Sequence, residues 1–431
     1  MNEAAGQWFE EHFLNLLGQP TVPEVRRTIR QLIRATINRH SCLPLNDPAL
    51  IELLKQQPTI GEPDDATPLI LSGDKLYLSR FFHCEREVAA MITSRNRPVS
   101  AIDPDSISNR LNREFGSETG NRQKLAALLA LTRCLTIITG GPGTGKTSTV
   151  LKILKVLLEQ EPSMEIKLAA PTGKAAMLLS QSIDSPSGQA KADVRTLHRL
   201  LGMHRDGRSY RHGPDNPISA DLLIVDEASM IDLPMMHRLL SALPDRTHLL
   251  LLGDPRQLPS VDTGNVLADL CAGDAGFSTD FAAIAEPIIG EVEIASEPNK
   301  LTDAICELKQ SYRFSPDSGV GRLAENIERG IDDAISATDG SVTFSSAPKE
   351  EQLLDNWPGY LSCLQRGNTS AEVLLDVFEQ ARILCSRRGG SPGVESINAA
   401  IESRLEKLEL KKTDQNFYHG RPVLITRNDY N

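Results

Sequence analysis

No apolar run in this 431-residue sequence approaches the length of a membrane-spanning helix, which needs roughly 18 residues. The polar N-terminus, Met-Asn-Glu-Ala-Ala-Gly-Gln, lacks the charged-then-apolar layout of a secretory signal. A cytoplasmic chain is therefore expected. The seven cysteines are scattered singly with no C-x-x-C pair, a pattern that speaks against a zinc site or a disulfide framework and for reduced thiols. An excess of basic charge is also missing: 46 Lys and Arg stand against 57 Asp and Glu, a net charge of −11. That excludes a surface coated for indiscriminate nucleic-acid binding but leaves room for a local basic channel, since only charges facing the phosphates count. There is no repeat of solenoid length and no nuclease constellation. What remains, 40% apolar and 24% charged, is an ordinary globular composition, and the length suits two or three domains.

Against that background one stretch stands out. Gly140-Gly141-Pro142-Gly143-Thr144-Gly145-Lys146-Thr147 follows the apolar run Leu135-Thr-Ile-Ile-Thr139 and leads into a segment with apolar residues at helical spacing, Val150, Leu151, Ile153, Leu154 and Leu157. Strand, glycine-rich loop and helix in that order are what a P-loop requires. Its backbone N–H groups and the helix N-terminus cradle a polyphosphate, Lys146 reaches the β/γ-phosphates, and the Thr147 hydroxyl suits Mg²⁺. The chain is expected to run on ATP or GTP.

Residues 1–110 read as a mainly helical block, with Trp8, Phe9, Phe13, Leu14, Leu16 and Leu17 as a first apolar face and Arg26, Arg27, Arg30 and Arg34 along a second helix. A solvated face explains such arginines more simply than a nucleic-acid patch. The block carries no recognisable chemistry and is assigned to docking, with a helical cap of the next domain as the alternative. Residues 111–297 alternate helices with apolar strand candidates at 166–170, 222–225 and 247–252, the pattern of a parallel sheet covered on both faces. The fold class is α/β, a RecA-like P-loop domain with its ligand at the carboxyl ends of the strands. From 298 to 431 a second, incomplete RecA-like unit is expected, with a helix over 301–309, a strand over 381–385, a helix over 394–408 and a strand-like run at 422–426.

Five further motifs carry chemistry. Asp226-Glu227 closes the apolar run Leu222-Leu-Ile-Val225. There Asp226 suits Mg²⁺ and Glu227 suits a general base for water, an ATPase arrangement rather than a Ras-like one, in which a glutamine positions the water. Gln257, in Gly253-Asp-Pro-Arg-Gln-Leu-Pro259, suits a hydrogen bond to the γ-phosphate or the attacking water that hydrolysis would break; a plain turn is the bland reading. Thr172 and Lys174, in Ala170-Pro-Thr-Gly-Lys-Ala-Ala176, suit the backbone of a nucleic-acid single strand. His198, in Thr196-Leu-His-Arg-Leu-Leu201, could serve the same strand, though a lone helical histidine is more often structural. Arg313, in Ser311-Tyr-Arg-Phe314, suits an arginine finger offered by a neighbouring domain, with an ordinary surface arginine as the default.

In order and wording these motifs resemble the superfamily 1 helicases of the 5′-to-3′ branch, and within them the family of alpha subunits of bacterial exodeoxyribonuclease V. The likeness spans roughly residues 121–431. It implies an ATP- and Mg²⁺-dependent DNA helicase subunit, working with the beta and gamma subunits on duplex ends in double-strand break repair and recombination, the nuclease residing in another subunit. It implies that Gln123, in Asn121-Arg-Gln-Lys124, reads adenine. Motifs V and VI of that branch do not occur before Asn431, so a truncated chain that binds ATP with impaired unwinding is expected. Two other readings stay open: a nucleotide-gated interaction subunit, and a P-loop ATPase that is no helicase.

Overall fold

The computed structural model describes residues 3–18, 20, 22–99, 104–183, 193–207, 209–273, 276–331, 340–344, 350–412 and 416–424. The segment ahead of the P-loop is mainly helical, as expected, with Glu3–Leu16, Pro23–Ile37, Pro48–Lys55 and Ser79–Arg95 as its first four helices. It also contains a small sheet that the sequence pattern does not announce. Strands β1 (Cys42–Pro44), β2 (Ile60–Gly61), β3 (Leu69–Ser72) and β4 (Lys75–Leu78) lie in the order β1-β4-β3-β2. With two to four residues each, they are too short to display an alternating pattern. Val25, Ile29, Leu32 and Ile33 of the second helix share a buried cluster with Leu69, Leu71 and Leu76 of β3 and β4.

The helix Ser79–Arg95 belongs by packing to the next layer: Phe81, Val88 and Ile92 are buried among residues of the large sheet. Arg95 fixes it there. Its buried guanidinium donates to the carbonyls of Leu243 (2.6 Å), Pro244 (2.9 Å) and Thr247 (3.2 Å). These carbonyls lie just beyond the helix Leu233–Ser241; that of Pro244 also accepts from the Thr247 N–H, while those of Leu243 and Thr247 gain the donor that a buried carbonyl needs.

The large sheet has six strands: β5 (Leu135–Gly140), β6 (Ile166–Ala170), β7 (Asp193–Thr196), β8 (Leu222–Val225), β9 (His248–Gly253) and β10 (Ile305–Leu308). Their order is β10-β5-β9-β8-β6-β7, and every neighbouring pair is parallel. Every residue of β5 and β8 is buried, because helices cover both faces. Alternate side chains serve the two layers. Ile138, Ile224, Leu250 and Leu252 pack with Leu128, Val150, Ile153 and Phe281, whereas Ile137, Leu223, Leu249 and Leu251 pack with Ile92, Met236 and Leu239. Each fully buried Ile or Leu contributes about 1.5–3 kcal/mol by its removal from water.

Two expectations need correction. The stretch 301–309 is not a helix: Asp303 has a left-handed φ of 64°, which no helix interior accommodates, and 305–308 pairs with β5 as the edge strand β10. Asp303 is held in that turn by the Ser278 backbone N–H (2.7 Å) and by Arg133. The boundary expected at 297/298 moves with it, since the chain divides into Met1–Ile331 and Asp332–Asn431. The regular elements among the described residues of the second unit are helices, with Pro358–Arg366, Ala371–Phe378 and Val394–Lys407 around Trp357, Tyr360, Leu364, Leu374 and Leu405. The helix expected over 394–408 is present. The run 381–385 pairs with no strand among the described residues, 422–424 is irregular, and 425–426 lie outside the described residues.

Candidate functional site

The sheet order draws together motifs that lie far apart in sequence. Because all six strands are parallel, the loops after β5, β6, β8, β9 and β10 emerge along one carboxyl edge, the place where open α/β sheets bind ligands. The P-loop leaves β5, second from the edge of the sheet and flanked by β9 with the Gln257 loop and by β10 with the Arg313 segment.

Gly143 and Gly145 have φ of 77° and 82°, conformations that glycine adopts without strain. Gly145 caps the helix Lys146–Gln160, so the first N–H groups of that helix point at the loop's hollow. Space is equally restrictive. A Cβ on Gly143 would fall 2.4 Å from the Cβ of Arg313, and one on Gly145 would fall 2.5 Å from Nε2 of Gln123. Thr144 is buried, its hydroxyl donating to the Gly141 carbonyl (2.9 Å). Lys146 folds back over the loop, its Nζ donating to the carbonyls of Gly140 (2.6 Å) and Gly141 (3.2 Å). Burial lowers the Lys146 pKa, and Arg313 adds to that, against the opposing pull of Asp254, Glu227 and Asp226. One hollow thus holds the P-loop cation and three carboxylates within electrostatic reach.

Asp226 and Glu227 follow β8. Glu227 is a non-glycine residue at φ 53°, and its backbone N–H donates to Oδ1 of Asp226 (2.8 Å). Such outliers persist where surrounding structure imposes them, and they cluster at functional sites. Burial raises the pKa of both carboxyls, and for Glu227 the neighbouring Asp226 raises it further. Gln257 is exposed at the tip of the β9 loop, and its backbone N–H donates to the Asp254 carbonyl (3.1 Å). Asp254 is itself buried; nothing in the sequence beyond its Gly-Asp-Pro turn marked it.

The Arg313 segment rests on the P-loop directly. The Tyr312 N–H donates to the Gly143 carbonyl (2.7 Å) and the Ser311 hydroxyl to the Pro142 carbonyl (3.2 Å). Both belong to the same compact unit as the P-loop, not to a neighbouring domain as expected from the sequence. On the other side Gln123 donates from Nε2 to the Thr144 carbonyl (3.3 Å). Gln123, Asn121, Thr119, Gln310 and Tyr312 line a cavity of about 360 Å³ beside the loop, a volume within the range of small-molecule sites.

Thr172 and His198 follow the neighbouring strands β6 and β7, at the other end of the sheet order from β5. They lie two residues beyond Ala170 and Thr196, register partners in β6 and β7. The Thr172 hydroxyl accepts from the Ala175 N–H (3.2 Å), and Lys174 is exposed on the helix Gly173–Ile183. His198 is half-buried and stacked on Tyr210 with ring centroids 6.4 Å apart, and Arg238 covers Tyr210 at 4.1 Å.

The AAA domain family model matches residues 123–263, from Gln123 to just past the Gln257 loop. The RecBCD enzyme subunit RecD of Haemophilus influenzae is 35% identical over 413 residues, covering 84% of this chain and 64% of that protein. The RecBCD enzyme subunit RecD of Mycolicibacterium smegmatis is 35% identical over 414 residues, 90% of this chain and 68% of its own. The chain belongs to the RecD family. It spans about two thirds of the length of these curated relatives. The ATP-dependent RecD2 DNA helicase of Deinococcus radiodurans is similar over a shorter region, 43% identical over 192 residues, 44% of this chain and 25% of that helicase. Among the described residues of this RecD-family chain, no helix is long and apolar enough to cross a membrane.

Proposed function

We propose that this chain is the ATP-driven motor portion of a 5′-to-3′ DNA helicase subunit acting in a RecBCD-type complex at duplex ends. The observation that carries the reading is the convergence on one hollow of Lys146, Asp226, Glu227, Asp254 and the Arg313 segment. Lys146 and the P-loop N–H groups bind the β/γ-phosphates, and Gln123 faces the base. The donor set fits Mg²⁺: a Thr147 hydroxyl and the Asp226 carboxylate are hard oxygen ligands, and this ion is ordinarily held by one or two carboxylates together with phosphate oxygens. When bound, the ion neutralises phosphate charge. Glu227 accepts the proton of the attacking water, Gln257 contacts the γ-phosphate, and Arg313 meets the charge that develops on it.

Thr172, Lys174 and His198 form the single-strand side of the site on the loops after β6 and β7. Docking on beta and gamma subunits would cover apolar side chains of the first helix, where Trp8 and Leu16 are 66% and 72% exposed. The decisive measurement is ATP hydrolysis with and without single-stranded DNA, on this chain and on Lys146→Ala. Stimulation by DNA that vanishes in the variant is the expected result. Nucleotide binding with no response to DNA would favour the nucleotide-gated interaction subunit instead.

A further inference from the structure

The ion pairs on the carboxyl edge converge on one side chain that the motif roles leave unused. Arg256 precedes Gln257, and its backbone N–H donates to Oδ1 of the buried Asp254 (3.0 Å). Its guanidinium donates to Glu307 on β10 (3.0 Å) and to Glu328, the last residue of the helix Gly319–Glu328. In the sheet order β10-β5-β9 the P-loop strand lies between the donor's strand and the acceptor's. Arg256 therefore ties the two flanks of the phosphate site across the strand that binds the phosphate. Its partners bracket Arg313, with Glu307 before it and Glu328 after it.

We infer that Arg256 is a positioning residue that sets Gln257 and Arg313 at a fixed separation across the phosphate site. The inference rests on the nucleotide roles proposed above. A planar fork with several N–H donors can bridge two carboxylates, whereas a lysine ammonium acts as a point charge. All three side chains are about half exposed, so the network adds little to stability. Its effect lies in orientation. Gln257 and Arg313 both act on the γ-phosphoryl group, and their joint placement matters most where charge develops in the transition state. The guanidinium of Arg256 bonds to Glu307 and Glu328 and not to the P-loop or Gln123, which hold the rest of the nucleotide.

The test compares binding of fluorescent ADP alone with binding of ADP plus aluminium fluoride, a transition-state mimic, on the full chain. Arg256→Ala should weaken the mimic by between about ten- and a hundredfold, the scale of a displaced catalytic group, and leave ADP affinity unchanged. Arg256→Lys should recover part of the loss. Glu307→Gln should lose less than Arg256→Ala, because Glu328 remains, and the double variant should lose no more than Arg256→Ala alone. Equal weakening of ADP and mimic, no change in either, or losses that add would each overturn the inference. A wild-type chain that prefers the mimic yet shows no DNA-stimulated hydrolysis would count against the motor reading and leave the clamp standing. One that shows no preference for the mimic would sink the clamp, there being nothing to position.

Discussion

Along the carboxyl edge of the large sheet, the segments after β10, β5 and β9 are already hydrogen-bonded to one another, whereas those after β6 and β7 carry an exposed lysine, a turn threonine and a packed histidine. Lys146 bonds to its own loop, the Tyr312 N–H to Gly143, Gln123 to Thr144, and Arg256 to Glu307. Nothing comparable links Lys174 to His198 among the described residues. The difference follows the ligands proposed for the two halves. Stabilising charge on one transferring phosphoryl group rewards donors fixed in advance. A single strand slides past many weak contacts to its backbone, and a rigid socket for one phosphate would oppose movement.

That contrast requires deletions on the two halves to differ in size and in kind. The largest effect is expected from Arg313→Ala, a fall in hydrolysis rate of about a thousandfold, as for arginine fingers elsewhere, with ATP affinity nearly unchanged. Steady-state kinetics with and without DNA would check it. The finger segment rests on Gly143 within the P-loop's own unit, so the loss should already be present in DNA-free turnover; a loss confined to DNA-stimulated turnover would contradict that placement. Glu227→Gln should reduce hydrolysis by about a hundredfold or more, the usual worth of a positioned general base. Bound ATP should then persist long enough to be trapped on the protein, and rapid turnover in this variant would assign the base elsewhere.

On the β6–β7 side the effects should be several-fold. Lys174→Ala is expected to weaken single-strand binding by about threefold to tenfold on every sequence and to lower the salt dependence of the affinity by the equivalent of about one phosphate contact. Titration at several salt concentrations measures both. His198→Ala should act on stability, by about 1 kcal/mol through removal of the stack on Tyr210, more than on DNA affinity. A DNA defect in His198→Ala without a change in melting would reverse that assignment and make the histidine a strand contact.

How much of this could be read from residues alone depended on how local the determining interactions were. The P-loop was legible because its glycines, lysine and flanking strand and helix are contiguous, and the Asp226-Glu227 pair because an apolar strand announces it. β10 was not, since Leu301, Ala304, Ile305 and Leu308 also fit a helical face, and its pairing partner lies more than a hundred and fifty residues away in β5. β7, with the sequence Asp-Val-Arg-Thr, is an edge strand whose polar residues hide it from an apolar-run criterion. Arg313 stands out in the sequence while its position does not, because its approach to Gly143 is a tertiary fact. Asp254 and Arg256 stand within a legible motif, but their burial and reach are invisible without neighbours.

The smallest prediction uses the opposite end of the sheet as a reference for both halves. His248 opens β9, far from the loops of the carboxyl edge, and its backbone N–H donates to the Asp221 carbonyl (2.8 Å). Burial holds its pKa below the ordinary histidine value, and Arg97 adds to the effect. The sign follows from proton linkage. Below the ordinary value the unfolded chain takes up a proton that the folded chain refuses, so stability present at neutral pH is lost as the pH falls toward the depressed pKa. Melting followed from about pH 7.5 down to about 5.5 should therefore show a decline that is shallower in His248→Gln, with a difference of about 1–3 °C for a chain of this size. Nucleotide affinity at neutral pH should be the same in both, because the change sits at the strand's amino end. A shift in ATP binding would mean that the two ends of β9 are coupled, and effects at Gln257 could then no longer be assigned to local interactions with phosphate alone.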